Sequence, residues 1–236
     1  MEDPKLTNHK PDPPITLDPL DYDTNVDLQV NLTNSIEIDE SCSLALHQKT
    51  LKYLNERNIN HSHELKKITN IKCAHLYCKV TKISGQKSGL LLEQKFREDL
   101  NWKKNKASEA NGDLKDKKGL NVEVKISLGS GPNNDKFNYV QLRPHHKIDY
   151  YLLTAYKLDK TNVEKNGELY IFKIPKKIVN TLIVKYGTYA HGTKKKLGEI
   201  TLNKLKEKEY EYVLRPKLNS DLFKEFLKYR VKVTDL

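Results

Sequence analysis

The clearest alternation of apolar and charged positions along the chain is Val122-Glu123-Val124-Lys125. Because successive side chains of a strand point to opposite faces, this pattern predicts a strand with both valines on the core side and both charged groups opposite. Residues 148–156 are instead nearly all apolar, which is typical of a strand buried on both faces. Alternation and aromatic or β-branched content together predict strands near 119–128, 137–142, 148–157, 168–174 and 209–214.

Helical periodicity is strongest at Leu92, Phe96 and Leu100, whose four-residue spacing predicts an amphipathic helix with Ser88 as its N-cap. Similar apolar stripes predict helices near 43–58, 63–82 and 219–229, and a further one that begins at Pro175. Strands mixed with helices favour an α/β fold, with a central mixed β-sheet flanked by helices and a helical N-terminal part.

Length and composition narrow the class of protein. The 236 residues predict one domain with a single sizeable core. No apolar run approaches the roughly 20 residues that a membrane span needs, and no signal peptide opens the chain, so a membrane partner is not expected. The three cysteines form no CxxC pair, which favours reduced thiols in a cytoplasmic protein.

Charge is distributed unevenly along the chain. Residues 1–40 carry ten acidic side chains against Lys5 and Lys10, a net −8, although the whole chain carries +11; residues 41–236 therefore carry +19. Five of the nine prolines lie in the first 20 residues, so 1–40 is predicted to be an extended or partly disordered acidic arm. This arm is either a passive tail or a segment that covers a basic cleft or wraps a partner subunit. The basic remainder, 41–236, is predicted to be a single domain that binds nucleic acid.

Candidate chemistry lies on the alternating strand and just before it. Asp113 and Glu123 offer carboxylate oxygens, the ligands that Mg²⁺ prefers, and Lys125 could steady an attacking water or a growing phosphate charge. Glu-x-Lys occurs three times in this lysine-rich chain, but only here do valines alternate with it and an aspartate lie upstream. The alternative is a half-exposed strand that carries a surface ion pair.

Asp113, Glu123 and Lys125 resemble the signature of the PD-(D/E)xK nuclease superfamily, with Gly112 at the position of the motif's proline. The resemblance implies a restriction-endonuclease-like core over about 85–215 and Mg²⁺ bound by Asp113, Glu123 and Glu93. It also implies that Gln141 lies at the edge of the active site. The alternative for Glu93 is an ordinary helix-surface residue paired with Arg97.

Two segments are candidates for DNA contacts. The resemblance to type II restriction enzymes places a polar segment after Gln141, whose phosphate-binding candidates are Arg143, His145 and His146. The two histidines also suggest a zinc site, but no nearby Cys or third His completes one. Residues 186–198 resemble a recognition loop, in which glycine permits close approach to DNA; its alternative is a flexible solvated loop. The candidates there are Tyr189, His191 and Thr193 for bases, and Lys194, Lys195 and Lys196 for phosphates.

The sequence therefore predicts a Mg²⁺-dependent type II restriction endonuclease that hydrolyses double-stranded DNA. Such enzymes commonly act as homodimers, because two-fold symmetry matches a palindromic site. One alternative is a structure-selective nuclease, such as a Holliday-junction resolvase or a repair enzyme. Another is a nucleic-acid-binding module without catalytic activity.

Overall fold

The computed structural model describes residues 60–106, 110–159 and 167–236, so the predicted arm over 1–40 and the predicted helix near 43–58 lie outside the described residues. The helices are α1 His61–Lys67, α2 Ile71–Val80, α3 Gly85–Asp99, α4 Lys176–Tyr186, α5 Lys194–Leu197 and α6 Asp221–Leu227. The strands are β1 Lys103–Lys104, β2 Leu114–Lys115, β3 Asn121–Ser127, β4 Tyr139–Leu142, β5 Tyr150–Lys157, β6 Glu168–Pro175, β7 Thr188–Tyr189 and β8 Tyr212–Leu214. Two 3₁₀ turns, Lys204–Lys206 and Val233–Asp235, complete the described elements.

The main sheet is mixed and has five strands in the order β1-β2-β3-β5-β6. Strands β3 and β5 are parallel, whereas the other neighbouring pairs are antiparallel. A smaller antiparallel sheet has the order β4-β8-β7. The predicted α/β fold with a mixed sheet flanked by helices is therefore confirmed.

Two apolar clusters cover the main sheet. Val122 and Val124 of β3 pack in one cluster with Leu92 and Phe96 of α3, as the alternating pattern predicts. Tyr151 and other β5 residues in register with Glu123 and Lys125 belong to the other cluster, together with α4, α6 and the small sheet. All β5 residues except the last are buried, which confirms the prediction of a strand covered on both faces.

Helix boundaries differ from the predicted ones where side chains cap the backbone. The helix expected over 63–82 is interrupted, because Ile68 is extended and the Asn70 side chain accepts from the Lys72 amide to begin α2. Helix α3 begins after Ser84, which caps it, rather than after Ser88, which is buried. Helix α6 is capped by Ser220, whose side chain accepts from the Phe223 amide.

Two further expectations concern the thiols and the membrane. Cys73 and Cys78 are buried, and Cys42 lies outside the described residues. No helix within the described ranges is long and apolar enough to cross a membrane.

Candidate active site

Asp113 is held against β3 by two hydrogen bonds, one from its backbone amide and one to its side chain. Its amide donates to the Val122 carbonyl at 2.8 Å, and its Oδ2 accepts from the Val124 amide at 2.8 Å. The preceding Gly112 has φ +74°, a left-handed value that proline, fixed near −65°, cannot adopt. Proline therefore could not replace Gly112 in the turn that brings Asp113 to the strand.

Gly112 also has no room for a side chain. A Cβ there would lie 2.7 Å from the Val122 carbonyl oxygen and 2.7 Å from Ile148 Cγ2. We expect Gly112→Ala to lower the free energy of unfolding by more than the about 1–2 kcal/mol that the left-handed backbone alone costs, because the contact also displaces the Asp113 turn. Urea unfolding measures this effect.

Gly119→Ala is the matched control for that substitution. Gly119 has φ +82°, but no heavy atom lies within 4 Å of its added Cβ. The control therefore carries the backbone strain without the collision at Asp113. Equal losses of unfolding free energy in the two variants would show that the Gly112 contact does not hold the Asp113 turn.

Glu123 and Lys125 form an ion pair, but not on the surface. Lys125 Nζ lies 2.7 Å from Glu123 Oε1, and the two side chains are 20% and 4% exposed. The alternative of a half-exposed strand that carries a surface ion pair is therefore wrong. Taking a carboxylate this far from water is unfavourable unless it is paired, which gives Lys125 a second task in stabilising Glu123.

Glu93 projects from α3 into the same cavity as Asp113 and Glu123. The alternative pairing with Arg97 does not occur, because Arg97 lies 3.5 Å from Glu98 instead. Burial, and then the Asp113 charge, raise the pKa of Glu93 to about 7 against the opposing effect of two lysines. Glu93 is therefore a half-protonated carboxyl near neutral pH.

The cavity that these residues share has a volume of about 460 Å³ and is called the first cavity below. Burial, and then the Glu123 charge, raise the pKa of Asp113 as well, so the ionisation of Asp113 is disfavoured beside a neighbouring carboxylate. A divalent cation would relieve that repulsion, so the donor set fits Mg²⁺. The polar and charged residues that line the first cavity are Gln86, Glu93, Asp113, Glu123, Lys125, Gln141, Arg143 and His146.

The carboxylates nevertheless contact other groups of the protein, and their oxygens are not arranged around a single metal position. Within 60–106, 110–159 and 167–236, no group of three His, Cys, Asp or Glu side chains has the spacing to hold a metal ion. Glu123 is turned to Lys125, and one Asp113 oxygen accepts from the Val124 amide. Metal binding would therefore require these side chains to rotate within the first cavity.

Arg143 and the two histidines differ in where they lie. Arg143 lines the first cavity and donates from Nε to Glu211 Oε1 at 2.6 Å, a partner that the sequence did not reveal. His146 lines the cavity too. His145 packs against the ring of His146, with the two ring centroids 4.7 Å apart. Burial lowers the pKa of both histidines, so at pH 7 they are mainly neutral and any phosphate contact would be a hydrogen bond.

The segment 186–198 is partly ordered by pairing of β7 with β8. Tyr189 is 4% exposed and donates its hydroxyl to the Gly198 carbonyl, so it supports the segment and is removed from the set of base contacts. Thr193 and the three lysines of α5 are exposed, with Lys194 paired to Glu199 at 3.0 Å. His191 is exposed and lines a second cavity beside the first.

Three residues near the site escaped sequence analysis. The Lys104 charge opposes the rise of the Glu93 pKa, although Lys104 lies in a two-residue strand. The Tyr151 hydroxyl is buried and has no hydrogen-bond partner among the described residues, and Tyr151 pairs with Glu123 in the β3–β5 ladder. Glu211 holds Arg143 across 68 residues of sequence. Only the folded chain brings these groups to the site.

Comparison with known proteins adds no relative to this geometry. No protein-family model matches the chain, and no curated protein matches it. The functional argument therefore depends on the site itself.

Proposed function

We propose that this chain is a Mg²⁺-dependent DNA endonuclease of the type II restriction class, with a restriction-endonuclease-like core. The observation that carries the proposal is the meeting of Glu93, Asp113, Glu123 and Lys125 in one cavity, from a helix, a turn and a strand. Three acidic side chains in one cavity of a basic chain, two of them with a raised pKa, favour a cation and a phosphate over an organic substrate.

Each of these residues has a task in phosphodiester hydrolysis. Asp113 and Glu123 would hold the ion, with Glu93 as a third carboxylate that would give up its proton to bind it. Mg²⁺ bound there would activate a water and neutralise charge on the phosphate. Lys125, released from Glu123, donates a hydrogen bond to the attacking water or to the phosphate oxygen. The water loses a proton to the solvent as it forms the new P–O bond, the bond to the leaving deoxyribose oxygen breaks, and that oxygen takes up a proton from the solvent.

Gln141 and Arg143 lie where they could contact the rest of the substrate. Both line the first cavity without joining the carboxylate cluster. The Arg143 guanidinium keeps further N–H groups beyond the one donated to Glu211, and a fork of donors suits a phosphate. We assign Arg143 to a phosphate beside the bond that is cut.

Plasmid cleavage tests the proposal and separates it from its alternatives. Supercoiled plasmid and a synthetic four-way junction are incubated with the full chain in Mg²⁺, in Ca²⁺ and in EDTA. Discrete plasmid fragments in Mg²⁺ alone are the expected result. Cutting of the junction only would identify a structure-selective nuclease instead. Binding of both DNAs without cutting in Mg²⁺ or Mn²⁺ would identify a non-catalytic module.

The proposed partner arrangement is a homodimer on a palindromic site. Two first cavities related by two-fold symmetry would then act on the two strands. Sedimentation of the chain with and without the cleaved duplex tests this. A monomer on the duplex, together with cutting of one strand at a time, would contradict it.

Segment 186–198 is proposed to read sequence at its start and to bind phosphates at its end. We expect His191→Ala and Thr193→Ala to weaken binding of the cleaved sequence by about 1–3 kcal/mol while leaving a scrambled duplex nearly unaffected. Lys195→Ala should weaken both duplexes and lower the log–log salt slope by about one unit. Gel shifts of both duplexes at several salt concentrations measure this. Equal losses on both duplexes for His191→Ala would show that this segment reads no bases.

A further inference from the structure

Strand β4 carries a bulge at the border of the first cavity. Tyr139 pairs with Leu214 and Leu142 pairs with Tyr212, so Val140 and Gln141 together oppose the single residue Val213. Bulges of this kind re-aim side chains and occur next to active sites. Here the bulge leaves Val140 41% exposed and Gln141 exposed as well.

The backbone of the bulge is held in an unfavourable conformation. Gln141 has φ +54°, which is uncommon for a residue with a side chain, and the structure around it must hold it there. Tyr139 and Leu142 on either side are almost fully buried and belong to one apolar cluster, so both ends of the bulge are fixed. Val140 and Gln141 therefore form a rigid projection rather than a flexible loop.

This projection separates two cavities. Val140 and Gln141 line the first cavity, and they also line the second cavity, which has a volume of about 930 Å³. The second cavity has an apolar floor to which Ile83, Ile126 and Leu128 contribute. Its charged lining residues are all basic, and among the described residues that line it none is Asp or Glu.

The basic groups lie around that apolar floor. Lys82 and Arg215 are exposed, and Arg215 donates from a terminal nitrogen to Thr188 Oγ1 at 2.9 Å, which fixes its position. A nucleotide has matching chemistry, with a flat base whose faces stack on apolar surface and a phosphate that attracts cations. A paired and stacked base cannot offer its face to such a floor.

We propose that Val140 and Gln141 enter the base stack beside the bond that is cut and that the second cavity receives the base they displace. This inference rests on the proposed nuclease function, because it places the cut phosphate in the first cavity. Val140 acts as an apolar wedge of the kind that unstacks a base step, and the Gln141 amide takes up hydrogen bonds of the opened base edge. The substrate class is double-stranded DNA with a base step that opens easily, and such steps include TA and CA.

The experiment measures base unstacking in the bound state without cleavage. End-labelled plasmid fragments are bound by the full chain in Ca²⁺ and treated with potassium permanganate, which reports unstacked thymines, or diethyl pyrocarbonate, which reports unstacked purines. We expect a several-fold rise in reactivity next to each position that is cut in Mg²⁺. The double variant Val140→Ala/Gln141→Gly should lose that rise, and Val140→Ala alone should lower it while still protecting the same DNA.

Leu227→Ala is the matched control, because Leu227 is also 41% exposed but lies on α6, away from both cavities. It should retain the wild-type reactivity. The double variant removes exposed side chains and relieves a left-handed glutamine, so loss of fold is not expected, and thermal unfolding checks this.

The outcomes distinguish a failure of the proposed wedge from a failure of the proposed nuclease function. Cutting without enhanced reactivity, or enhanced reactivity that persists in Val140→Ala/Gln141→Gly, overturns the wedge and leaves the nuclease intact. Enhanced reactivity in a complex that never cuts supports the wedge and overturns the nuclease. Absence of any DNA protection by the wild-type chain overturns both.

Discussion

Lys125→Ala is expected to lower the rate of DNA cleavage by about 10²- to 10³-fold, the size of effect seen when one donor to the transition state is removed. Specific binding in Ca²⁺ should remain, because the carboxylates that hold the ion are intact and Ca²⁺ takes the same oxygen ligands. Single-turnover cleavage in Mg²⁺ and gel shifts in Ca²⁺ measure the two quantities on one duplex.

The Glu123–Lys125 contact adds a second expected result for this variant. Without the ammonium 2.7 Å away, Glu123 is a buried carboxylate with no ion-pair partner in the metal-free protein, which destabilises the fold. Added Ca²⁺ supplies a new partner, so the rise in Tm caused by Ca²⁺ should be larger in Lys125→Ala than in the wild-type chain. A lysine that only stabilises the fold would show the loss of stability without a slower cleavage step once Mg²⁺ is bound.

Lys115→Ala is the control, because Lys115 is also half-buried and lies on the neighbouring strand β2, outside the first cavity. It should cleave at the wild-type rate. Wild-type cleavage by Lys125→Ala would remove Lys125 from the proposed chemistry, whatever its effect on stability.

Strands β3, β5 and β6 of the main sheet could be predicted because their signal is local, whereas the two-residue strands β1 and β2 were not predicted. The alternation from Val122 to Lys125 predicts that one face of β3 is buried, and the apolar run before Lys157 predicts that both faces of β5 are buried. The register of β3 with β5 agrees with both predictions. The break between α1 and α2 could not be predicted from periodicity. Leu65, Ile68 and Ile71 continue one apolar stripe, and the break is set by the extended Ile68 and by the cap at Asn70.

The candidate site shows the same division between local and distant information. Asp113, Glu123 and Lys125 are close in sequence and joined by one turn, so their meeting followed from spacing. Contacts made through the small sheet did not: Arg143 meets Glu211 only because β4 pairs with β8. Tyr189 was misread for the same reason, since its pairing with Tyr212 buries an aromatic that glycine-rich surroundings suggested was exposed.

Glu93→Gln is expected to raise the Tm of the metal-free protein at pH 8 and to change it little at pH 5. Burial and the Asp113 charge raise the Glu93 pKa from its usual 4.5 to about 7, so the folded chain holds this proton more tightly than the unfolded chain. Between these two values a rise in pH therefore lowers stability, and above pH 7 the full penalty is present. Glutamine has nearly the same shape and carries no such penalty.

A divalent cation should reverse the sign of the Tm change that Glu93→Gln causes. In Ca²⁺ the ionised Glu93 becomes a ligand, so the wild-type chain is stabilised by RT ln(1 + [L]/Kd) and the glutamine variant much less. Because protons compete with the ion for the carboxylates, the wild-type response to Ca²⁺ should also shrink as pH falls through 7. Thermal unfolding at pH 5 and pH 8, with Ca²⁺ or with EDTA, gives all four values for each protein.

Glu98→Gln is the contrasting control on the same helix. A hydrogen bond from Gln94 lowers the Glu98 pKa, so ionised Glu98 stabilises the fold at neutral pH and its replacement should not raise the Tm. A Glu93 that faced solvent would behave like Glu98, with no rise in EDTA and no dependence on Ca²⁺. A lower Tm for Glu93→Gln at pH 8 in EDTA would show that Glu93 is not held against its charge, and the three-carboxylate site would then lose its main electrostatic support.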